Sequence, residues 1–173
     1  MAVVLAVVLA GGRCDRDSPP GQAGGTTTTN TVTGGPVAGL AVTVTEVVDG
    51  DTIWVRMADG SAEKVRYIGI DAPELPHDGR PGEYLGEEAR AHNAALLGSG
   101  PLSLETDVER RDEFGRLLAY VWAGDVFVNE RMVLDGYAWA HNYAPNLAWQ
   151  DRLWAAHDRA RAAGVGIWAG EGD

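Results

Sequence analysis

Three alternating apolar runs packed almost end to end constrain this chain more than any other feature of it. Val42-Thr-Val-Thr-Glu-Val-Val48 sends every second side chain to one face, the period of a half-buried strand. Thr52 to Met57 repeats the pattern after only Asp49-Gly50-Asp51, and a third strand is expected through Ile70 after Asp59-Gly60, a pair suited to a hairpin turn. The domain therefore begins with three strands in succession, the last two joined by a hairpin turn.

The segments beyond these three strands supply the rest of the fold. A stretch rich in Pro and Gly, Leu75 to Gly82, precedes a helix expected from about Tyr84 to Leu97, with Leu85, Ala89, His92 and Leu96 at its spacing. Leu102 to Thr106 and Leu117 to Trp122 read as two more strands. Val128–Leu134 reads as a short helix and Leu147–Ala163 as a final one. The last carries a stripe of Trp149, Leu153, Ala156 and Ala160, and Gly164 and Gly166 stop it. The class is α+β, mainly β: a five-stranded barrel of the OB type with three helices, although the bare pattern also fits an α+β sandwich. The six tryptophans read as core.

The 173 residues suffice for one domain and a tail. Met1 to Ala10 is apolar but too short to span a bilayer, and residues 1–16 read as an export leader. Cys14 resembles the lipidation site of a bacterial lipoprotein, with Arg13 where such signals carry a small residue. As the chain's one cysteine it excludes an internal disulfide and a cysteine-based zinc site. Residues 17–40, rich in Thr, Gly and Pro, read as a flexible tether, and residues 41–173 as the domain. The location implied is secreted or extracytoplasmic, with a membrane tether through Cys14 if it is lipidated. The net charge of −11 belongs to the domain, because Arg13 and Arg16 are balanced by Asp15 and Asp17. Such a charge repels a polyanion at long range, so binding of one would have to be local and cation-assisted.

The chemistry lies in two acidic turns and two arginines. Asp49 and Asp51 flank Gly50 at a strand edge, and Asp71 and Glu74 flank Pro73 where the third strand ends. Acids crowded this way repel one another unless a cation joins them, and oxygen ligands without histidine favour calcium or magnesium over zinc. Arg66 stands in an apolar strand and needs an anionic partner, either a phosphate or one of these acids. Strict alternation puts Arg66 and Asp71 on opposite faces; a bend at Gly69 would bring them to one mouth. Arg116 follows Phe114-Gly115 at the start of the fifth strand. The histidines, His77, His92, His141 and His157, show no metal-ligand spacing.

In order and spacing, Asp49-Gly-Asp-Thr52, Arg66 to Glu74, Gly115-Arg116-x-Leu-Ala-Tyr120, Val128-Asn-Glu130 and Gly166-Ile-Trp168 resemble the thermonuclease (staphylococcal-nuclease-like) family. The resemblance covers roughly Ala41 to Trp168. It implies a calcium-dependent phosphodiesterase that hydrolyses DNA or RNA with little sequence specificity and leaves 3′-phosphate ends. Asp51 and Asp71 correspond to side-chain ligands of one calcium ion, Ala72 to a backbone-carbonyl ligand, and Asp49 to an acidic neighbour of the metal. Glu74 corresponds to the carboxylate that orients or deprotonates the attacking water, and Arg66 and Arg116 to the pair that holds the phosphate. Phe114, Tyr137 and Tyr143 are candidate base-stacking aromatics, fitting a monomer that takes single-stranded or frayed nucleic acid. Members that only bind lose the acids and arginines, all of which this chain keeps. The alternatives are a non-catalytic nucleic-acid-binding module and, on fold alone, an oligosaccharide-binding barrel.

Overall fold

The computed structural model describes residues 39–169. The expected leader, Cys14 and most of the expected tether lie outside the described residues. The first strand, β1 (Leu40–Val47), opens one residue before the expected domain boundary, with Leu40 set opposite Leu104. β1, β2 (Thr52–Met57) and β3 (Ala62–Tyr67) form an antiparallel meander. Gly60 turns its second corner at φ +86°, a conformation glycine adopts freely.

Closure comes from the far end of the sequence. β5 (Leu102–Glu105) pairs with β1, β6 (Leu117–Ala123) pairs with β5, and β6 also runs parallel to β3, with Arg66 opposite Leu118. Five strands thereby form a closed barrel, as the OB-type expectation required. β6 is buried along its whole length, as a closing strand covered on both faces must be. Ile53, Val55, Val65 and Tyr67 fill the barrel from the meander, and Leu104, Leu117, Ala119 and Val121 from the closing strands. Two short strands escaped the sequence pattern: β7 (Val126–Phe127), which turns back on β6, and β8 (Trp139–Ala140).

The third strand does not run through Ile70. β3 ends at Tyr67, Gly69 takes φ +78°, and β4 (Ile70–Asp71) leaves to pair with β8. This is the bend that alternation alone would have denied. Three contacts hold it: Ile68 N–H donates to the Ala119 carbonyl (3.0 Å), His141 N–H to the Gly69 carbonyl (2.9 Å), and Asn129 Nδ2 to the Ile68 carbonyl (2.8 Å). Asn129 is fully buried on α2 (Val128–Leu134), and its Oδ1 accepts from Val121 N–H of β6 at 2.9 Å.

The helices hold two corrections. α1 (Gly86–Leu97) buries Gly86, Ala89, Asn93 and Leu97; of the expected face, Ala89 is buried and Leu96 packs half-buried against the core, while Leu85 and His92 depart from it. Leu85 stands outside the helix at φ +66°, and His92 is turned aside to Asp135 at 2.8 Å. Polar Asn93 takes the core position to link Tyr67 Oη (2.9 Å) to the Asp49 carbonyl (3.1 Å). α3 (Gln150–Ala163) starts later than expected because Asn146 and Ala148 are tied to Glu109 and Asp107. Its stripe holds: Leu153, Ala156 and Ala160 are buried, and Gly164 ends it at φ +61°. Of the tryptophans, Trp122 and Trp168 are buried and Trp154 is exposed.

Removing Asn129 leaves two buried backbone groups without partners. Asn129→Ala should therefore cost about 2 kcal/mol of stability in urea unfolding. A change below about 0.5 kcal/mol would mean that the bend is held by other contacts.

Candidate active site

The bend delivers Asp71 back toward the acidic turn between β1 and β2. That turn is set close by Gly50, where an added Cβ would lie 2.5 Å from the Ala72 side chain. Asp51 is buried there. Its Oδ2 accepts from Ala72 N–H at 2.7 Å, its Oδ1 from Thr52 Oγ1 at 3.1 Å, and its carbonyl receives Tyr67 N–H at 2.9 Å. Asp49 Oδ1 in turn accepts from Asp51 N–H at 2.9 Å. The two acidic turns, far apart in sequence, are one hydrogen-bonded unit.

Arg66 joins them. Its Nη2 donates to Asp71 Oδ1 at 2.7 Å, and its Nη1 lies against Asp51 Oδ2 as an ion pair without hydrogen-bond geometry. The arginine therefore has the acidic partners that the sequence offered as one alternative. Burial pushes the Asp51 carboxyl up to about 7, reinforced by the charges of Asp49 and Asp71 and opposed by Arg66 and the Ala72 N–H. Burial alone would lower the pKa of Arg66, but Asp51 and Asp71 outweigh it and keep the guanidinium charged.

A cavity of about 410 Å³ opens in front of this unit, walled by Asp49, Asp51, Arg66, Glu74, Lys64 and Arg116 among others. Glu74 is positioned by backbone: Glu83 N–H donates to its carbonyl at 2.8 Å, and its own N–H donates to Glu83 Oε2 at 3.1 Å. Burial and the neighbouring charge of Asp49 raise the Glu74 pKa. Arg116 reaches the cavity from the start of β6. Gly115 at φ +79° turns the chain, and Asp112 holds Arg116 by Nε at 2.6 Å and by its N–H at 2.9 Å. The Arg116 guanidinium lies 5.5 Å from the Phe114 ring centroid, leaving that ring exposed. Tyr143 is half-buried, and burial raises its pKa within the fields of Arg66, Asp112 and Arg116. Tyr137 instead stacks on His92 at 4.5 Å, so it serves packing rather than the cavity.

Of the other candidate site residues, Asp49, Asp51, Arg66, Glu74 and Arg116 line the cavity, Asp71 and Ala72 are tied to its wall through Arg66 and Asp51, and Phe114 lies beside Arg116. Sequence reading missed the supports: Asp112 behind Arg116, Glu83 behind Glu74, and Asn93 behind the Asp49 turn. It also passed over Lys64. Asp112 had one legible signal, an acid four residues before Arg116 in a turn-rich stretch; Asn93 and Glu83 had none. Two carboxylates face one positive charge, and among the described residues no three acidic or histidine side chains gather to enclose an ion by themselves. A cation held here would need backbone oxygens and water as well.

Residues 64–170 match the family model described as staphylococcal nuclease homologue. The match includes Arg66, Asp71, Ala72, Glu74 and Arg116; Asp49 and Asp51 precede it and are joined to them by the fold. The chain is 37% identical to a thermonuclease of Staphylococcus hyicus, over 73% of this chain and 74% of that protein. It is 36% identical to a thermonuclease of Staphylococcus intermedius, over 76% and 78%. Endonuclease YncB of Bacillus subtilis (strain 168) is 37% identical, over 76% of this chain and 63% of the relative. With the matched model spanning more than half of the chain and both arginines, the chain belongs to the staphylococcal nuclease homologue family.

Proposed function

We propose that this protein is a nuclease that hydrolyses phosphodiester bonds in DNA or RNA with little sequence specificity, depends on one calcium ion and leaves 3′-phosphate ends. The observation that carries the reading is the convergence of Asp51 and Asp71 on one positive charge, in the cavity that also takes Glu74 and Arg116. A binding module would need the arginines but would have no use for buried acids beside a phosphate.

The donor set fits a hard divalent cation. It offers oxygens only, and a second positive charge beside Asp51 would offset the burial that raises its pKa. Asp51, Asp71 and the Ala72 carbonyl would hold the ion, with Asp49 adding charge behind them. Bound there, calcium supplies Lewis-acid stabilisation and a template for the phosphate. Arg66 and Arg116 donate to the non-bridging oxygens, where negative charge grows as water attacks. Glu74, whose pKa burial and the charge of Asp49 raise, orients that water or takes its proton. The bond to the 5′ oxygen breaks. Phe114, beside Arg116, and Tyr143 offer rings for bases of a single-stranded or frayed substrate. In this reading the enzyme works as a monomer outside the cytoplasm, exported by its apolar leader, with Cys14 as a lipid tether. No helix among the described residues is long and apolar enough to cross a membrane.

Arg116→Ala should lower kcat on single-stranded DNA by about 10²–10³-fold, and Glu74→Gln by about 10²–10⁴-fold, with unchanged urea midpoints. Wild-type rates in either variant would remove that residue from the reaction. Excess chelator should abolish cleavage and calcium should restore it; full activity in chelator would overturn the metal assignment.

A further inference from the structure

Lys64, the chain's one lysine, is a charged wall residue of the cavity that the reading above leaves without a role. β3 sends Val65 and Tyr67 into the barrel and Lys64 and Arg66 to the other face, so the two cations are neighbours on one side of a strand. The arginines around it are neutralised: Arg66 by Asp51 and Asp71, Arg111 by Glu63 at 2.8 Å, and Arg116 by Asp112. Among the described residues the Lys64 ammonium has no ion pair, hydrogen bond or aromatic ring of its own. In a chain of net charge −11, an unpaired ammonium in an acid-lined cavity has been left free of the many available carboxylates.

We propose that Lys64 binds a second phosphate of the substrate, next to the one held by Arg66 and Arg116. Two residues of strand span roughly 6.6 Å, comparable to one nucleotide of an extended single strand. A lysine suits such a contact, because a compact point charge on a flexible stem follows a phosphate that need not be fixed in orientation, whereas the reacting phosphate is gripped by planar guanidiniums. The substrate class this implies is a polynucleotide with at least two consecutive phosphodiesters, in preference to a dinucleotide with one. The inference deepens the nuclease reading and rests on it for the register of the substrate.

The test uses the full chain with Lys64→Ala and Lys64→Arg. Affinity for a fluorescent oligothymidylate is measured in chelator across a salt series, so that no cleavage intervenes. Loss of one phosphate contact should reduce the slope of log affinity against log salt by about 0.7 in Lys64→Ala and leave it in place in Lys64→Arg. In calcium, the ratio of kcat/KM for a tetranucleotide over a dinucleotide should fall roughly threefold to fivefold in Lys64→Ala, through KM. An unchanged slope, or an equal loss in both variants, overturns the proposal. A reduced slope in a protein whose wild type cuts neither substrate would keep the phosphate contact and discard the nuclease reading instead.

Discussion

One guanidinium holds this site together. Arg66 stands between Asp51, which is buried, and Asp71, which is at the rim, and without it the turn between β1 and β2 would carry an uncompensated buried carboxylate. Leaving a buried charge unpaired costs about 3–5 kcal/mol, a large part of the stability of a domain this size. The remaining structure serves that meeting. Gly69 and Asn129 bend the chain so that Asp71 returns to the arginine's side, and Gly50 lets the acidic turn close on Ala72. The parallel pairing of β3 with β6 then brings Arg116 to the same cavity.

The same arrangement explains how so acidic a chain manages a polyanion. The protein gathers a few cations in one cavity and holds two of them with its own acids. Asp112 holds Arg116 through its Nε, which in the proposed reading leaves the outer nitrogens of the guanidinium for a phosphate. Long-range attraction is given up, and local electrostatic complementarity takes its place. In the proposed reading, exposed Phe114 adds contact area that no salt can screen.

The main strands and the acids and arginines of the cavity were legible because each depends on local pattern: period-two alternation, Asp-Gly turns, and charged residues set in apolar runs. Barrel closure was not decided by that pattern, which fits a sandwich too, because the pairings of β1 with β5 and of β3 with β6 join distant segments. The buried face of α1 was not, because Asn93 is a polar residue in a core position whose partners, Tyr67 and the Asp49 carbonyl, lie far away in sequence. β4 and β8 are two residues each, too short for any periodicity to declare them. The bend at Gly69 was only half legible. The glycine permits it, but the hydrogen bonds from Asn129 and His141 that fix it come from distant segments. The supporting residues Asp112 and Glu83 resembled ordinary acids of a solvated surface until the geometry gave them partners.

The central claim is that the two carboxylates now sharing Arg66 form the site of a single cation. Calorimetric titration of calcium into the full chain, beside Asp71→Asn, tests it most directly. Asp71 is half-exposed, so its replacement by Asn should leave the fold intact. The account predicts one saturable site in the wild type, lost in the variant. A site of the same affinity in Asp71→Asn would contradict it and move the cation elsewhere on the acidic surface.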